Sequence, residues 1–480
     1  MGRPRLDQRE PNEHLAQWQA QVSMSNAALA RAVTKRARAQ GHRGISPDES
    51  SVRRWRAGET PRHPVPQLIA ETISERAGTT LSPADLGFPD LLPTAQGSGL
   101  SWLPGTSVQA LLHLTRSEVM RTHTRNSDSA SRVQKGSALL APLQQWATTE
   151  PSPAAVPAGR TGGQVGAAEV EGIRAVTAMY RDVDNRHGGA HSRKAVVAQL
   201  NEAASLLHTC TYTERTGRDL LSAVADLGSV AGWMSFDAGH HTSAQKLFIT
   251  SLHAAAEAGD KALGAHILQC MARQMSHLER YEDALALVDL AQYGARRRLS
   301  PATSSMLASL EARFQAILGN LTDSETAAGR AEDAFTGIVP GNEPAHMMFF
   351  DTAELSATIG VAHQIAARNS EGTARARHAE SGIRLIQQAL DSRPAHRVRS
   401  KAFDHLALAR THLAAGEPEG ARQETIHALN LFGTISSHRV GDRLTELHDE
   451  ASPTPTARRP STSENASHTP SDSRSPPAVV

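Results

Sequence analysis

The chain has 480 residues and a formal net charge of +1, and it is rich in alanine but only 4% aromatic. This composition favours close packing of helix on helix over a β-sheet core, which draws on aromatic and β-branched residues. The chain contains no run of about 18 apolar residues, which excludes a transmembrane helix. Its N-terminal sequence also lacks the apolar region of a secretory signal. We therefore expect a cytoplasmic protein of about three domains.

The two cysteines, Cys210 and Cys270, are too few for a disulfide framework and lack the spacing of a metal site. We expect them to be buried thiols in a reducing compartment.

Positive charge is concentrated at the N-terminus. Residues 1–62 contain twelve Lys and Arg against six Asp and Glu, a net charge of +6, so the remaining chain carries about −5. A small basic region beside a nearly neutral body indicates a polyanionic partner at one end. A solvated basic tail would give the same pattern, so charge alone leaves both interpretations open.

Composition divides the chain into four regions. Residues 12–88 have helical patterning, and residues 89–166 form a linker region with short helices around Leu111–Met120 and Leu139–Trp146. Residues 167–449 are almost continuously helical in pattern, and residues 450–480 lack the apolar content to fold. The expected fold class is therefore all-α, with disordered linkers and a disordered C-terminal tail.

The first two helices of the N-terminal region are marked by apolar spacing. Leu15, Trp18 and Val22 recur at intervals of three and four residues, which predicts one buried helix face. A second helix is expected to begin after Ser25 as N-cap and to bury the apolar residues of the run ALARAV.

The third helix has the clearest start signal. Ser46 is the expected N-cap, with Pro47 at the first helical position and Glu49 completing a capping box. At about 100° per residue, Val52 and Trp55 share the inner face.

Five residues of this segment are candidates for DNA contact. Hydroxyl and guanidinium groups on the outward face of such a helix can read base edges in a major groove, and arginines near the helix end suit phosphates. The predicted base-reading residues are Ser50, Arg53 and Arg54, and the predicted phosphate-contacting residues are Arg56 and Arg62.

The segments SNAALARAV, SSVRRWRAGETPRHP and IAETISERAG with LSPADLGF together resemble the Cro/repressor-type helix-turn-helix. In particular, they resemble the version found in large actinobacterial regulators of differentiation and antibiotic production. The chain departs from that pattern between Ala30 and Val52, where the longer stretch TKRARAQGHRGISPDES replaces the usual tight turn. The alternative is a small helical domain whose basic face is only solvated.

Small residues recur at fixed offsets in the body of the chain. Anchors expected in the second helix of each unit are separated by 40, 40, 58 and 39 residues: Ala244, Ala284, Ser324, Gly382 and Ala421. Twelve positions before these anchors lie further small residues: Gly232, Ala272, Ala312, Ser370 and Ala409. This spacing resembles the tetratricopeptide repeat, in which paired helices nest closely. The interval of 58 residues, which holds Pro340–Pro344, predicts an insertion, and the alternative is a non-repetitive helical bundle.

The segment DNRHGG at residues 184–189, together with GWMSFDAG at residues 232–239, again resembles the actinobacterial group. The interpretation we prefer is a polar helix end stopped by Gly188 and Gly189. The other is a ligand- or partner-contacting lip, with Asp184, Asn185 and Arg186 facing a groove.

Known reactive motifs are missing from the sequence. It has no HExxH, GxxxxGK[ST] or GxSxG pattern, and its 23 histidines do not fall at metal-ligand spacing. We therefore expect no enzyme activity, no cofactor and no metal.

These features predict a sequence-specific regulator that binds double-stranded DNA and not membranes. The repeat array would then supply homodimerisation, a protein-partner surface or a groove for a peptide-sized effector. The resemblance implies control of development or secondary metabolism, by repression. The rival hypothesis is a scaffold of tetratricopeptide-like repeats that binds only proteins and no DNA.

Overall fold

The structure is a computed structural model that describes residues 11–39, 44–62, 64–77, 81, 83–88, 100, 102–103, 105–120, 133–151 and 163–451. Within these ranges the regular structure is helical, apart from an isolated β-bridge between Gln164 and Thr211. The predicted all-α class is therefore confirmed. None of the helices in these ranges combines the length and apolarity needed to cross a membrane. Residues 452–480 and much of the two predicted linkers lie outside the described residues.

The N-terminal region contains four helices and a short 3-10 turn at Ala84–Leu86: α1 Glu13–Gln21, α2 Asn26–Ala39, α3 Glu49–Arg56 and α4 Val65–Ala77. The apolar faces predicted from spacing pack together in one core. Leu15, Val33 and Val52 are completely buried, while Trp18 and Val22 pack at the edge. The Ser25 hydroxyl accepts a hydrogen bond from the Ala28 amide at 3.2 Å, as expected of a cap for α2.

The predicted capping box of α3 is wrong. Asp48 is the N-cap, and its carboxylate accepts the Ser51 amide at 2.8 Å. Glu49 is consequently the first residue of the helix and not the third, and Ser46 lies exposed ahead of it. A carboxylate at this position gains from the positive end of the helix dipole as well as from the hydrogen bond. Hydrogen bonds from Ser51 and Ser50 lower the pKa of Asp48 to about 2, which keeps it ionised.

The linker region contributes three helices: α5 Thr106–Met120, α6 Ser137–Leu143 and α7 Gln145–Thr148. They confirm the two predicted short helical segments, and all three pack against the repeat array. The Trp146 ring is fully buried and lies against Gly264 and Gly294. A Cβ atom added to Gly264 would lie 2.6 Å from the ring, and one added to Gly294 would lie 2.2 Å from it. The Glu257 carboxylate accepts hydrogen bonds from the backbone amides of Gly105 and Ser107 at the start of α5.

The body of the chain opens with α8 Ala167–His187 and α9 Arg193–Thr209 and closes with α20 His438–Ala451. Between them lie five helical hairpins joined by loops of two or three residues: α10 Glu214–Asp237 with α11 His241–Ala258, α12 Lys261–His277 with α13 Tyr281–Ala295, α14 Pro301–Ile317 with α15 Leu321–Phe335, α16 Thr352–Arg368 with α17 Gly372–Ser392, and α18 Val398–Ala415 with α19 Pro418–Phe432. Loops this short make the two helices of each pair antiparallel. The body is therefore a helical repeat array.

Small residues lie where the two helices of a pair approach each other. Four of the five predicted anchors occupy the fourth position of the second helix: Ala244, Ala284, Ser324 and Ala421. The Ser324 hydroxyl donates to the carbonyl of Ala312 in the partner helix at 2.8 Å. A Cβ at Gly232 would lie 2.7 Å from the ring of Phe248, so only glycine allows this approach.

The fourth repeat has a different register from the one predicted. Gly382 is the eleventh residue of α17, about two turns beyond the fourth position, and Ser370 lies in the loop before α17. Gly382 instead contacts Gly360 of α16. A Cβ atom added to Gly382 would lie 3.3 Å from the Gly360 carbonyl oxygen. The α17 helix is longer than its counterparts, which shifts the close contact along it. The predicted insertion is present as the connection at residues 336–351, with a 3-10 turn at Ala345–Met347.

Candidate functional site

The five residues predicted to contact DNA lie on α3 and in the loop that follows it. Ser50, Arg53, Arg54, Arg56 and Arg62 are all exposed. The opposite face is anchored in the core by the completely buried Val52 and by Trp55. Four of the five candidates therefore lie on one helix, and the fifth follows it by six residues.

Each residue of this face on α3 has a local partner. Ser50 donates to Asp48 at 2.8 Å, Arg53 pairs with Glu49 at 3.1 Å and Arg54 with Glu59 at 3.7 Å. Exposed ion pairs of this kind contribute only about 0–1 kcal/mol. A phosphate or a guanine edge can therefore replace the carboxylates at little cost.

A backbone hydrogen bond joins the end of α3 to the residue that precedes α1. The Asn12 amide donates to the carbonyl of Arg56 at 2.9 Å, and Gly87, at φ +71°, packs so closely on the Asn12 side chain that a Cβ would lie 2.4 Å from its Oδ1. The connection from α2 to α3 spans residues 40–48, of which 40–43 lie outside the described residues. It is longer than a tight turn, as the sequence indicated.

A second feature, not foreseen from the sequence, is a cavity of about 530 Å³ within the repeat array. Its wall is built mainly from α8, α20 and the first helices of the five hairpins, with the connection at residues 336–351 and the loop before α18. Ten arginines and six carboxylates contribute to this wall. Guanidinium groups dominate its chemistry.

One group of ion pairs closes the cavity at the junction of α8, α10, α18 and α20. Arg399 forms a bidentate pair with Asp184 at 2.9 and 2.7 Å and approaches Asp237 at 3.3 Å. Asp237 also accepts from the Gly189 amide and from Ser437. Burial raises the pKa of Asp237, but Arg399 and Arg439 outweigh burial and lower it overall.

A second group of ion pairs holds the opposite wall. Glu354 accepts from Arg273 at 3.3 Å and from Arg393 at 3.2 Å, and Arg393 also pairs with Asp404 at 2.6 Å. Burial opposes ionisation of Glu354, yet Arg393 and Arg273 lower its pKa to about 2. Glu354 is therefore held ionised by its two arginines, whereas at Asp404 burial outweighs Arg393 and raises the pKa to about 7.

Arg313 is the exception among the arginines of the wall. The other nine each have a carboxylate within ion-pair distance, whereas Arg313 has none among the described residues. Burial, and then the positive charges of Arg443, Arg273 and Arg439, lower the pKa of Arg313 to about 9. It is still positively charged at neutral pH, so the wall contains a surplus cation.

The histidines of the wall do not add to this charge. Burial lowers the pKa of His266 well below its ordinary value, with help from His346 and Arg181. Burial likewise lowers the pKa of His277 and His346. All three are neutral at pH 7.

The DNRHGG segment ends α8, and two of its three candidate residues line the cavity. Gly188, at φ +82°, caps α8, and a Cβ there would lie 2.3 Å from the Ser436 carbonyl oxygen, as the helix-end interpretation requires. Asp184 and Asn185 line the cavity, but the Asp184 carboxylate is taken up by Arg399. Arg186 is exposed outside the cavity and pairs with Asp182 at 2.8 Å.

Both cysteines are buried free thiols, as predicted. Cys270 lies in the cavity wall, where burial raises its pKa to about 12. It is therefore a poor nucleophile at neutral pH.

One cluster among the described residues has the composition of a metal site. Ligand atoms of His405, Glu424 and His427, on α18 and α19, lie within 4.8 Å of one another. The His405 Nδ1 and a Glu424 carboxylate oxygen are already hydrogen-bonded at 2.6 Å. That hydrogen bond accounts for the arrangement without an ion.

Sequence reasoning missed the cavity because its arginines come from helices far apart in the chain. One signal was present: Arg439 and Arg443 are spaced four residues apart on α20, and Arg273 and Arg313 interrupt apolar first helices. An arginine on the inner side of such a helix has to find a buried partner or a ligand.

Comparison with known proteins gives one match. Residues 15–89 match the family model described as the SP15 N-terminal domain. The matched region corresponds to the four N-terminal helices, so the likeness concerns that region and not the repeat array. Neither curated proteins nor solved structures give a match.

Proposed function

We propose that the protein is a sequence-specific, DNA-binding transcriptional regulator of the cytoplasm, with α3 as the recognition helix. The observation that carries the proposal is the arrangement of Ser50, Arg53 and Arg54 on the exposed face of a helix whose other face is buried. A major groove accepts one α-helix, and arginine is its commonest specific reader.

The charge of the N-terminal region supports this proposal. Its net charge of +6 contrasts with an almost neutral remainder, and phosphate attraction supplies most of the non-specific affinity of such proteins. The repeat array in turn offers a cavity with a surplus positive charge, which suits regulation by a bound partner. The resemblance to actinobacterial regulators adds repression of development or secondary metabolism as the expected outcome.

The alternative function is a scaffold that binds only proteins. It would use the same array but leave the arginines of α3 solvated. Salt dependence separates the two, because DNA affinity falls steeply with salt as phosphate counterions are released, whereas an apolar protein interface changes little.

The test is a genome-wide pull-down of DNA crosslinked to the tagged full-length chain. The variant is Arg53→Ala/Arg54→Ala, and the matched control is Arg297→Ala/Arg298→Ala, which removes two exposed arginines of the array. Discrete peaks that share a motif, and that disappear only in the α3 variant, would establish the regulator. A pull-down with no peaks above background, in which proteins co-purify, would favour the scaffold.

A further inference from the structure

The cavity contains donors that the chain itself does not satisfy. The Nε atoms of Arg273, Arg313, Arg397 and Arg439 are buried and have no hydrogen-bond acceptor among the described residues. These arginines come from α12, α14, the loop before α18 and α20, and all four line the same cavity. A buried donor left unmatched costs free energy that an acceptor in the cavity would recover.

Nine of the ten arginines of the wall have a carboxylate within ion-pair distance, and Arg313 has none among the described residues. The neighbouring arginines share their carboxylates: Glu354 pairs with Arg273 and Arg393, and Glu446 pairs with Arg443 and Arg410. An anion bound at Arg313 would therefore meet positive charge that the carboxylates of the wall do not balance.

The surface next to Arg313 is apolar. Ile317 lies one turn further along α14, and Val361 and Ile365 line the facing part of α16; all three are partly exposed to the cavity. On the other side, Trp233 and Phe403 flank the guanidinium group of Arg439, at 4.9 and 5.0 Å from the ring centroids. An apolar body would displace water from these surfaces.

We propose that the cavity binds an amphipathic organic carboxylate, with its charged group at Arg313 and its apolar body against Ile317, Val361 and Ile365. The inference rests on the proposed function only in taking the repeat array as the regulatory region. Ligand binding is measured directly and without DNA, so either proposal can fail alone.

The test measures binding to the full-length chain by isothermal titration calorimetry. The probes are decanoate, decan-1-ol and inorganic phosphate, which separate the carboxylate from the apolar chain. Decanoate should bind at least about tenfold more tightly than decan-1-ol, because the charged contact to a desolvated guanidinium is lost in the alcohol. Phosphate should neither bind with comparable affinity nor displace decanoate.

Variants then assign the site. Arg313→Met should weaken decanoate binding about tenfold or more and leave decan-1-ol binding unchanged, while the matched control Arg297→Met, at an exposed arginine, should change neither. Arg313→Lys retains the charge without the bidentate fork, so it should give an intermediate affinity and serves if Arg313→Met fails to fold. Equal binding of decanoate and decan-1-ol, or unchanged decanoate binding in folded Arg313→Met, would overturn the proposal.

Discussion

Arg399 and Asp184 form two parallel hydrogen bonds across 215 positions of sequence. The pair joins α18 to α8, so the late part of the repeat array is fastened to its beginning. In an open solenoid each repeat contacts only its neighbours. This contact turns the concave face of the array into a cavity that stays partly open.

The closure should be a main determinant of stability. Asp184→Ala leaves a buried guanidinium with only the more distant Asp237, and breaking a buried pair from one side costs about 3–5 kcal/mol. We expect a clear fall in the urea midpoint and in the Tm of the array, both measured by circular dichroism.

The matched control for this prediction is Asp182→Ala, which removes an exposed partner of Arg186 two residues earlier on the same helix. It should cost no more than about 1 kcal/mol. Similar losses in the two variants would show that the Asp184 pair does not carry the closure.

Trp146 should hold the short α6–α7 segment to the array. Its ring is fully buried against Gly264 and Gly294, and the Lys261 ammonium lies 4.9 Å from its centroid. Trp146→Ala should destabilise the protein by about 3–5 kcal/mol, because it removes a large buried ring and leaves a cavity. Thermal unfolding measures the loss. Leu103→Ala, at a residue that is 66% exposed, is the control and should leave the Tm within error.

Local packing explains which parts of the fold were predictable. Ala244, Ser324 and Ala421 occupy the expected position because close helix pairing demands a small residue there whatever the wider context. The inward faces of α1 and α3 follow from helical periodicity alone. Each of these features depends only on residues close together in the sequence.

The parts that failed depend on choices that local sequence leaves open. Ser46 and Asp48 are both good caps, and the structure selects Asp48, whose carboxylate gains more from the helix dipole. Gly382 has the right size for an anchor but lies deeper in a longer helix. The surplus charge at Arg313 is visible only once the partners of the other arginines are known.

The arginines of the N-terminal region should separate into two kinds by their effect on DNA binding. Arg54→Ala, on the face of α3, should weaken binding at the operator by about 1–3 kcal/mol and relax specificity. Arg62→Ala, beyond the helix, should weaken binding to every sequence and reduce the salt slope by about one. Affinities on operator and random DNA at several salt concentrations measure both effects. Equal losses on both DNAs for Arg54→Ala would contradict a base-reading role.

Buried histidines should lower the stability of the repeat array as the pH falls below 6.5, and Asp404, whose folded pKa is raised by burial to about 7, opposes them between pH 7 and 3.8. Burial, and then His378, lower the pKa of His363 from 6.5 to about 4, and burial also lowers the pKa of His266 and His277. Between these folded values and 6.5 the unfolded chain binds protons that the folded chain rejects, so stability falls as pH falls through this window. Glu354 acts differently: its folded pKa of about 2 lies below its ordinary 4.5, so its contribution is lost only as pH falls from 4.5 towards 2.

Urea midpoints measured from pH 8 to pH 4 test this assignment. His363→Gln removes a proton acceptor that only the unfolded chain uses, so the midpoint should depend less on pH between 6.5 and 4 in this variant than in the native chain. His396→Gln, at an exposed histidine, is the control and should keep the native slope. If the slope is unchanged in His363→Gln, the acid sensitivity arises elsewhere, because a histidine forced to stay neutral by folding must contribute to it.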